Sequence, residues 1–229
     1  MIIEVIIQNE LEAIQAEEYG ADRLELVSAI SEGGLTPSYG TLKRVLRSTQ
    51  LPVQIMIRPH SYGFLYNDAD WEVMKEDISL IRELGGTGIV FGALNSDNTV
   101  DEQLLENVIN HAPDLDITFH RAFDEVASLE TAYKTLTNYK QHVRRILTSG
   151  GKASCVDATK ELKWLVDQSR LTEGPAILPG SGLSHENLAT IHQVVGAGEY
   201  HFGSGVRLDK AFNNELSKIS MNQIRNTLG

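Results

Sequence analysis

Apolar positions along this chain fall into two kinds of run that alternate from one end to the other. Short runs rich in Ile, Val, Leu and Phe stand near 2–7, 22–27, 53–58, 88–92, 115–120, 144–149, 176–179 and 199–203. Longer runs whose apolar residues recur at helical spacing stand near 9–19, 37–48, 68–84, 101–111, 128–139, 154–169, 184–195 and 214–227. Near-continuous apolar segments predict parallel strands buried on both faces, and the 3.6-residue period predicts amphipathic helices laid against them.

Punctuation between the runs agrees. Thr36 followed by Pro37 predicts a helix cap with proline at the first helical position, and Ser184 gives a weaker cap signal. Gly20, Gly85 and Gly86 stand where helices should end. Eight β-α units predict a single (β/α)8 TIM-type barrel occupying 1–229 as one domain. A doubly wound open sheet is the alternative, but QNELEA follows the first strand where a dinucleotide-binding fold would carry a glycine fingerprint. The aromatic loop at 60–70, HSYGFLYNDAD, reads as a lid over the barrel mouth.

Polar residues interrupt the strands in a patterned way. The segment TFHRAFD at 118–124 ends an apolar run in an imidazole, a guanidinium and a carboxylate. Glu25, Arg58, Thr148 and His201 stand at or near other strand ends. Charged groups at the end of a buried strand cost desolvation free energy unless they are paired or used. Strand side chains alternate, so Arg23 shares a face with Glu25, Gln54 and Met56 with Arg58, Thr118 with His120, and Glu199 with His201. Glu4 and Arg23 fall early in their strands and read as a structural network of buried ion pairs. Glu25, Arg58 and His120 fall late and read as candidate catalytic groups. Arg58 suits clamping of a carboxylate or phosphate, His120 suits proton transfer, and Glu25 suits orienting that imidazole or acting as base. Arg121 and Asp124 read as a solvated loop pair of little energetic weight, while Glu32 remains free to face the mouth.

Glycine turns follow the last strands: LTSGG at 147–151, LPGSG at 178–182 and HFGSGVR at 201–207. Glycine admits close backbone approach, and loops after strands seven and eight often hold phosphate in barrels of this type. Ser149, Gly150, Gly151, Gly180, Gly182 and Gly203 are therefore candidate anion-binding positions, together with Arg58. Glycines that merely connect strand to helix are the competing reading.

Composition narrows the partners. A formal net charge of −11 over 229 residues argues against nucleic acid, which needs a basic face. No segment is long and apolar enough to span a bilayer, and the opening MIIEVII lacks the basic region of a signal peptide. The single cysteine, Cys155, excludes an internal disulfide and predicts a cytoplasmic protein. It opens a predicted helix, where the dipole would lower its pKa. No HxxxH or CxxC pair is present; a His120–His201 pair could hold a divalent metal only if the fold brought the two together.

Taken in order, ADRLELVSAISEGGLTPS, VQIMIRP, EVMKEDI, GIVFGAL, ITFHRAFD, LTSGG and LPGSG resemble the CutC family, described as copper-homeostasis proteins. The resemblance runs from Glu4 to about Arg207. It implies a TIM-type barrel in the cytosol and a role in copper tolerance or transport, with copper as the implied ligand and no firmly assigned catalytic activity. Many members carry cysteine in the first strand and just after the second-strand glutamate, thiols proposed to hold copper(I). Ile6 and Val27 occupy those positions here, so no confident metal ligand carries over. The polar set does: Glu4, Glu25, Arg58, His120, Arg121 and the glycine turns. Two expectations follow, a copper-handling protein or a lyase, aldolase or isomerase acting on a small anionic substrate at the carboxyl rim. Barrels of this kind often dimerise, which makes a homodimer a further expectation.

Overall fold

The computed structural model describes residues 1–228. Eight parallel strands, β1 (Ile2–Ile7), β2 (Arg23–Leu26), β3 (Val53–Met56), β4 (Gly88–Phe91), β5 (Asp116–Phe119), β6 (Val143–Thr148), β7 (Ala176–Pro179) and β8 (Glu199–Phe202), alternate with eight helices. The helices are α1 (Glu10–Glu18), α2 (Tyr39–Ser48), α3 (Asp68–Glu83), α4 (Glu102–His111), α5 (Leu129–Thr137), α6 (Thr159–Thr172), α7 (Leu188–Val195) and α8 (Lys218–Leu228). The chain is a single (β/α)8 TIM-type barrel, with strands in the order β7-β6-β5-β4-β3-β2-β1-β8.

Strand alternation divides the apolar residues. One set, including Ile3, Val5, Leu24, Ile55, Ile89, Phe91, Ile117, Phe119 and Ile146, packs outward against Met74, Ile78, Val108, Leu136 and Leu162 of the helices. A separate, smaller cluster of Ile6, Val27, Met56 and Val90 lies inside the barrel, with Ile30 and Phe212 packed on it. Below this inner cluster the interior is polar. Arg23 pairs with Glu4 and with Glu199, Glu199 lies 3.6 Å from Arg145, and Arg145 bonds Asp116 and Thr118. Such a ladder of alternating charges leaves each buried ion a counter-charge, which is the condition for tolerating it. Gly88 leaves room for it, because a Cβ there would stand 2.3 Å from the Gln54 amide.

Two caps differ from expectation. Ser38, not Thr36, caps α2 by accepting from the Thr41 amide, because the Thr36 hydroxyl is already taken by the Arg58 N–H at 2.9 Å. Asn187, not Ser184, precedes α7; its side chain instead accepts from the Ser184 amide. Gly20 and Gly85 adopt left-handed backbone beyond α1 and α3, and Gly86 does not.

Strand hydrogen bonding runs from β7 round to β8 and no ladder joins those two among the described residues. The loops above them close the seam. A Cβ on Gly205 would stand 1.9 Å from the Leu183 carbonyl oxygen and 3.1 Å from the Ser184 Cα, so the β7 and β8 loops touch backbone to backbone. Neither atom can rotate away. Gly205→Ala should therefore cost at least about 2 kcal/mol, in the range of overpacked cores, as measured by chemical denaturation; an unchanged midpoint would mean the two loops are not in contact.

Candidate active site

At the carboxyl ends of the strands the interior opens into a cavity of about 640 Å³ lined by Glu25, Arg58, His120, His201, Arg121 and Glu32 among others. Its walls are partly apolar, from Ile6, Met56, Phe64, Leu147 and Phe212. The β3–α3 loop supplies Phe64, whose ring lies 4.8 Å from the Arg58 guanidinium carbon and 4.9 Å from the His120 ring.

Glu4 and His201 set the geometry of the floor. Their strands pair in register, Glu4 beside His201 and beside Arg23. One Glu4 oxygen accepts from Arg23, and the other lies 2.7 Å from His201 Nδ1. A carboxylate can only accept, so Nδ1 carries the proton and His201 Nε2 is left facing Glu25 Oε2 at 3.6 Å. Burial pushes Glu4 upward, but the charge of Arg23 and the bond to His201 outweigh it and hold Glu4 at about 2. Burial also raises Glu25, and there it prevails: the carboxyl sits at about 7, partly restrained by His201. His201 is raised as well, since Glu25 and Glu4 outweigh the opposing effect of burial. An acid poised near neutrality beside an oriented imidazole suits proton transfer.

His120 is held differently. The Ala122 amide donates to its Nδ1 at 3.1 Å, so Nδ1 is the acceptor and Nε2 carries the proton. Burial, and next the Arg58 charge, depress this imidazole to about 3, so it is neutral at physiological pH and offers an N–H donor. The sequence reading has Glu25 orienting this imidazole; instead the Ala122 backbone amide fixes its tautomer, and the partner of Glu25 is His201. Gly92 makes space for the ring, because a Cβ would lie 2.6 Å from Nδ1. Arg58 Nη1 is committed to the carbonyls of Glu32 at 2.8 Å and Gly34 at 3.3 Å. Its Nε, together with Glu25 Oε1 and His120 Nε2, is buried without a hydrogen-bond partner.

The glycine turns divide. Ser149 and Gly151 amides donate to Asp124 at 3.0 Å, the Gly150 amide donates to Thr148 Oγ1 at 2.8 Å, and the Gly180 amide continues the ladder to the Thr148 carbonyl. Those four amides are engaged within the protein. Gly151, Gly182 and Gly203 line the cavity, with Ser181 and Ser204, while Glu4, Thr148, Ser149, Gly150 and Gly180 are not among its lining residues. Asp124 departs from the sequence reading: its buried carboxylate pairs with Arg121 at 2.7 Å and gathers the β6 loop, so it is a structural anchor rather than a solvated partner.

Thiolate chemistry has no place here. Ile6 lines the cavity and Val27 is buried beside it. Cys155 is buried, and desolvation pushes its thiol up to about 12 instead of lowering it. The His120–His201 pair has no carboxylate common to both; the one group of three metal-capable residues among those described is Glu4, Glu25 and His201, with ligand atoms within 4.8 Å. Those are hard or borderline donors, unlike the soft sulfur that copper(I) prefers.

The titration of the floor has a consequence for stability. A carboxyl raised to about 7 from 4.5 gives stability that is complete below pH 4.5 and is lost as the pH rises through about 7. The raised His201 acts in the same direction; Glu4 acts oppositely, giving stability above pH 4.5 that is lost toward about 2. Arg23 is the fixed cation facing this group. Glu25→Gln should therefore flatten the decline in denaturation free energy between about pH 5 and about pH 8, by on the order of 1–3 kcal/mol. Parallel wild-type and variant curves would contradict the raised carboxyl.

Comparison with known proteins agrees with this architecture. The CutC family model matches residues 1–206. The human protein named copper homeostasis protein cutC homolog is 39% identical over 220 residues, covering 96% of this chain and 79% of the relative. A family protein CutC from Salmonella typhimurium is 39% identical over 209 residues, covering 91% of this chain and 82% of the relative. The crystal structure of a CutC protein from Streptococcus agalactiae matches with a TM-score of 0.80 at 29% identity, over 89% of this chain and 98% of that one. Phosphoribosyl anthranilate isomerase from Thermococcus kodakaraensis shares the fold alone, with a TM-score of 0.66 at 13% identity over 99% of this chain and 98% of that one. The chain belongs to the CutC family, of which the human and mouse members are named for copper homeostasis.

Proposed function

We propose that this protein takes part in copper homeostasis in the cytoplasm, the role its relatives are named for, by acid–base chemistry on a small anionic ligand in the barrel mouth. Carriage of copper(I) on thiolates is the mode its residues suit least. One observation carries the reading: Glu25 Oε1, Arg58 Nε and His120 Nε2 are buried without partners and belong to residues lining one cavity. Leaving such atoms unsatisfied costs roughly 1–3 kcal/mol each, more for charged groups, a cost natural proteins tolerate where a ligand supplies the missing partner. An anion accepts from the guanidinium and the imidazole N–H at once, and the carboxyl near neutrality gives or takes a proton beside it. Gly182, Gly203, Ser181 and Ser204 on the β7 and β8 loops, with the exposed Lys152, supply the rim against which an anionic tail would rest.

Direct binding of copper(II) is a second reading, favoured by the grouping of Glu4, Glu25 and His201. Both Glu4 oxygens and His201 Nδ1 are already bonded, which leaves Glu25 and His201 Nε2 as its free donors.

Calorimetric titration separates these roles. Inorganic phosphate or succinate should bind, and Arg58→Ala should weaken binding at least about tenfold through loss of a charge-assisted bond. Arg58→Lys, which keeps the charge and loses the fork, should be weakened as well. Copper(I) and copper(II) titrations should show no stoichiometric uptake. Equal anion affinity in wild type and both variants would overturn the anion reading, and tight uptake of one copper per chain would establish the metal reading instead.

A further inference from the structure

We infer that the mouth enolises a small carbonyl compound with an anionic tail: Glu25 takes a proton from the carbon beside the carbonyl, and Arg58 Nε–H and His120 Nε2–H hold the oxyanion that forms. The inference rests on the reading of the mouth as an acid–base site for anions and adds the bond that is broken.

The arrangement of donors points to a developing oxyanion. Two buried N–H groups without partners, on β3 and β5 strand ends, flank the same Phe64 ring, and one of them is a neutral imidazole. A neutral imidazole locked as a donor by the Ala122 amide is a poor general base, since its only lone pair is occupied. It is well suited to polarise a carbonyl, because a preorganised donor in a water-poor cavity gains most where negative charge appears. The base must then be another group. Glu25 is the carboxyl with a buried unpartnered oxygen, and His201 stands 3.6 Å from its other oxygen, fixed in orientation by Glu4. Two environments thus separate the roles: Arg23 and His201 keep Glu4 ionised as a positioning residue, and burial leaves Glu25 able to exchange a proton near neutral pH.

The step balances without a co-reactant. The substrate C–H bond breaks and its proton forms an O–H bond on Glu25; the C–H electron pair becomes the C=C bond, and the carbonyl π pair moves onto oxygen. Return of the proton to the same carbon regenerates the carbonyl, so the net change is hydrogen exchange; where that carbon carries a hydroxyl, passing the hydroxyl proton to the oxyanion and returning the abstracted proton to the former carbonyl carbon gives the isomer. The apolar walls from Ile6, Met56, Leu147 and Phe212 exclude water around the enolate.

Hydroxamates mimic such an enolate, and comparing each with its parent acid isolates the reacting end from the tail. Phosphoglycolohydroxamate against phosphoglycolate tests a phosphate tail; succinate monohydroxamate against succinate tests a carboxylate tail. At least one hydroxamate should bind about 100-fold or more tightly than its parent, as enolate mimics do for enzymes that form enolates. Glu25→Gln and His120→Gln, each shown to be folded by its melting curve, should lose that preference while still binding the parent acid. Equal binding of hydroxamate and parent would overturn enolisation and leave the anion site standing. A preference undiminished in folded variants would overturn it too. Failure of all four compounds to bind would overturn both readings together.

Discussion

The bond between Glu4 and His201 is the constraint on which the rest of the site depends. It joins the first strand to the last, 197 residues apart, at a register pair whose side chains meet in the buried interior. With its other oxygen held by Arg23, Glu4 has no freedom to turn. His201 therefore carries its proton on Nδ1 and presents Nε2 upward, and Glu25 on the neighbouring strand meets a fixed imidazole instead of water. Burial raises the Glu25 carboxyl, and the imidazole beside it is the main influence that holds the rise to about 7.

A polar barrel interior is expensive, and this chain confines the expense. The ladder of Glu4, Arg23, Glu199, Arg145 and Asp116 pairs each ion low in the barrel. Above it, a collar of Ile6, Val27, Met56 and Val90 separates that ladder from the mouth. Above the collar, Glu25 Oε1, Arg58 Nε and His120 Nε2 stand without partners around one cavity, whereas in the ladder the unbonded Arg145 Nε still has the Glu199 carboxylate 3.6 Å away. The division matches the general behaviour of this fold, in which the amino-terminal half of the interior holds the structure and the carboxyl rim holds the chemistry.

Much of this was legible in the residues. Periodicity placed the strands, and the contrast between early and late polar positions separated Glu4 and Arg23, which pair with each other, from Glu25, Arg58 and His120, which line the cavity. Partnerships across strands were not legible. Glu25 belongs with His201 because β1 lies between their strands and Glu4 braces the imidazole, a fact of barrel closure that no local pattern encodes. The LTSGG turn looked like an anion cradle, yet Asp124, the last residue of TFHRAFD, already fills it. A sequence motif shows which groups are available; it does not show that one motif satisfies another. Thr36 failed as a cap for the same reason, its hydroxyl being claimed by the strand beside it.

Nitrogen-15 spectra of the histidine side chains, followed between about pH 5 and about pH 9, test the division of labour most directly. His120 should remain neutral throughout with its proton on Nε2, while His201 keeps a proton on Nδ1 and its Nε2 signal responds to the ionisation of Glu25 at about 7. A His120 that protonates like a free imidazole, or a His201 indifferent to Glu25→Gln, would contradict the account.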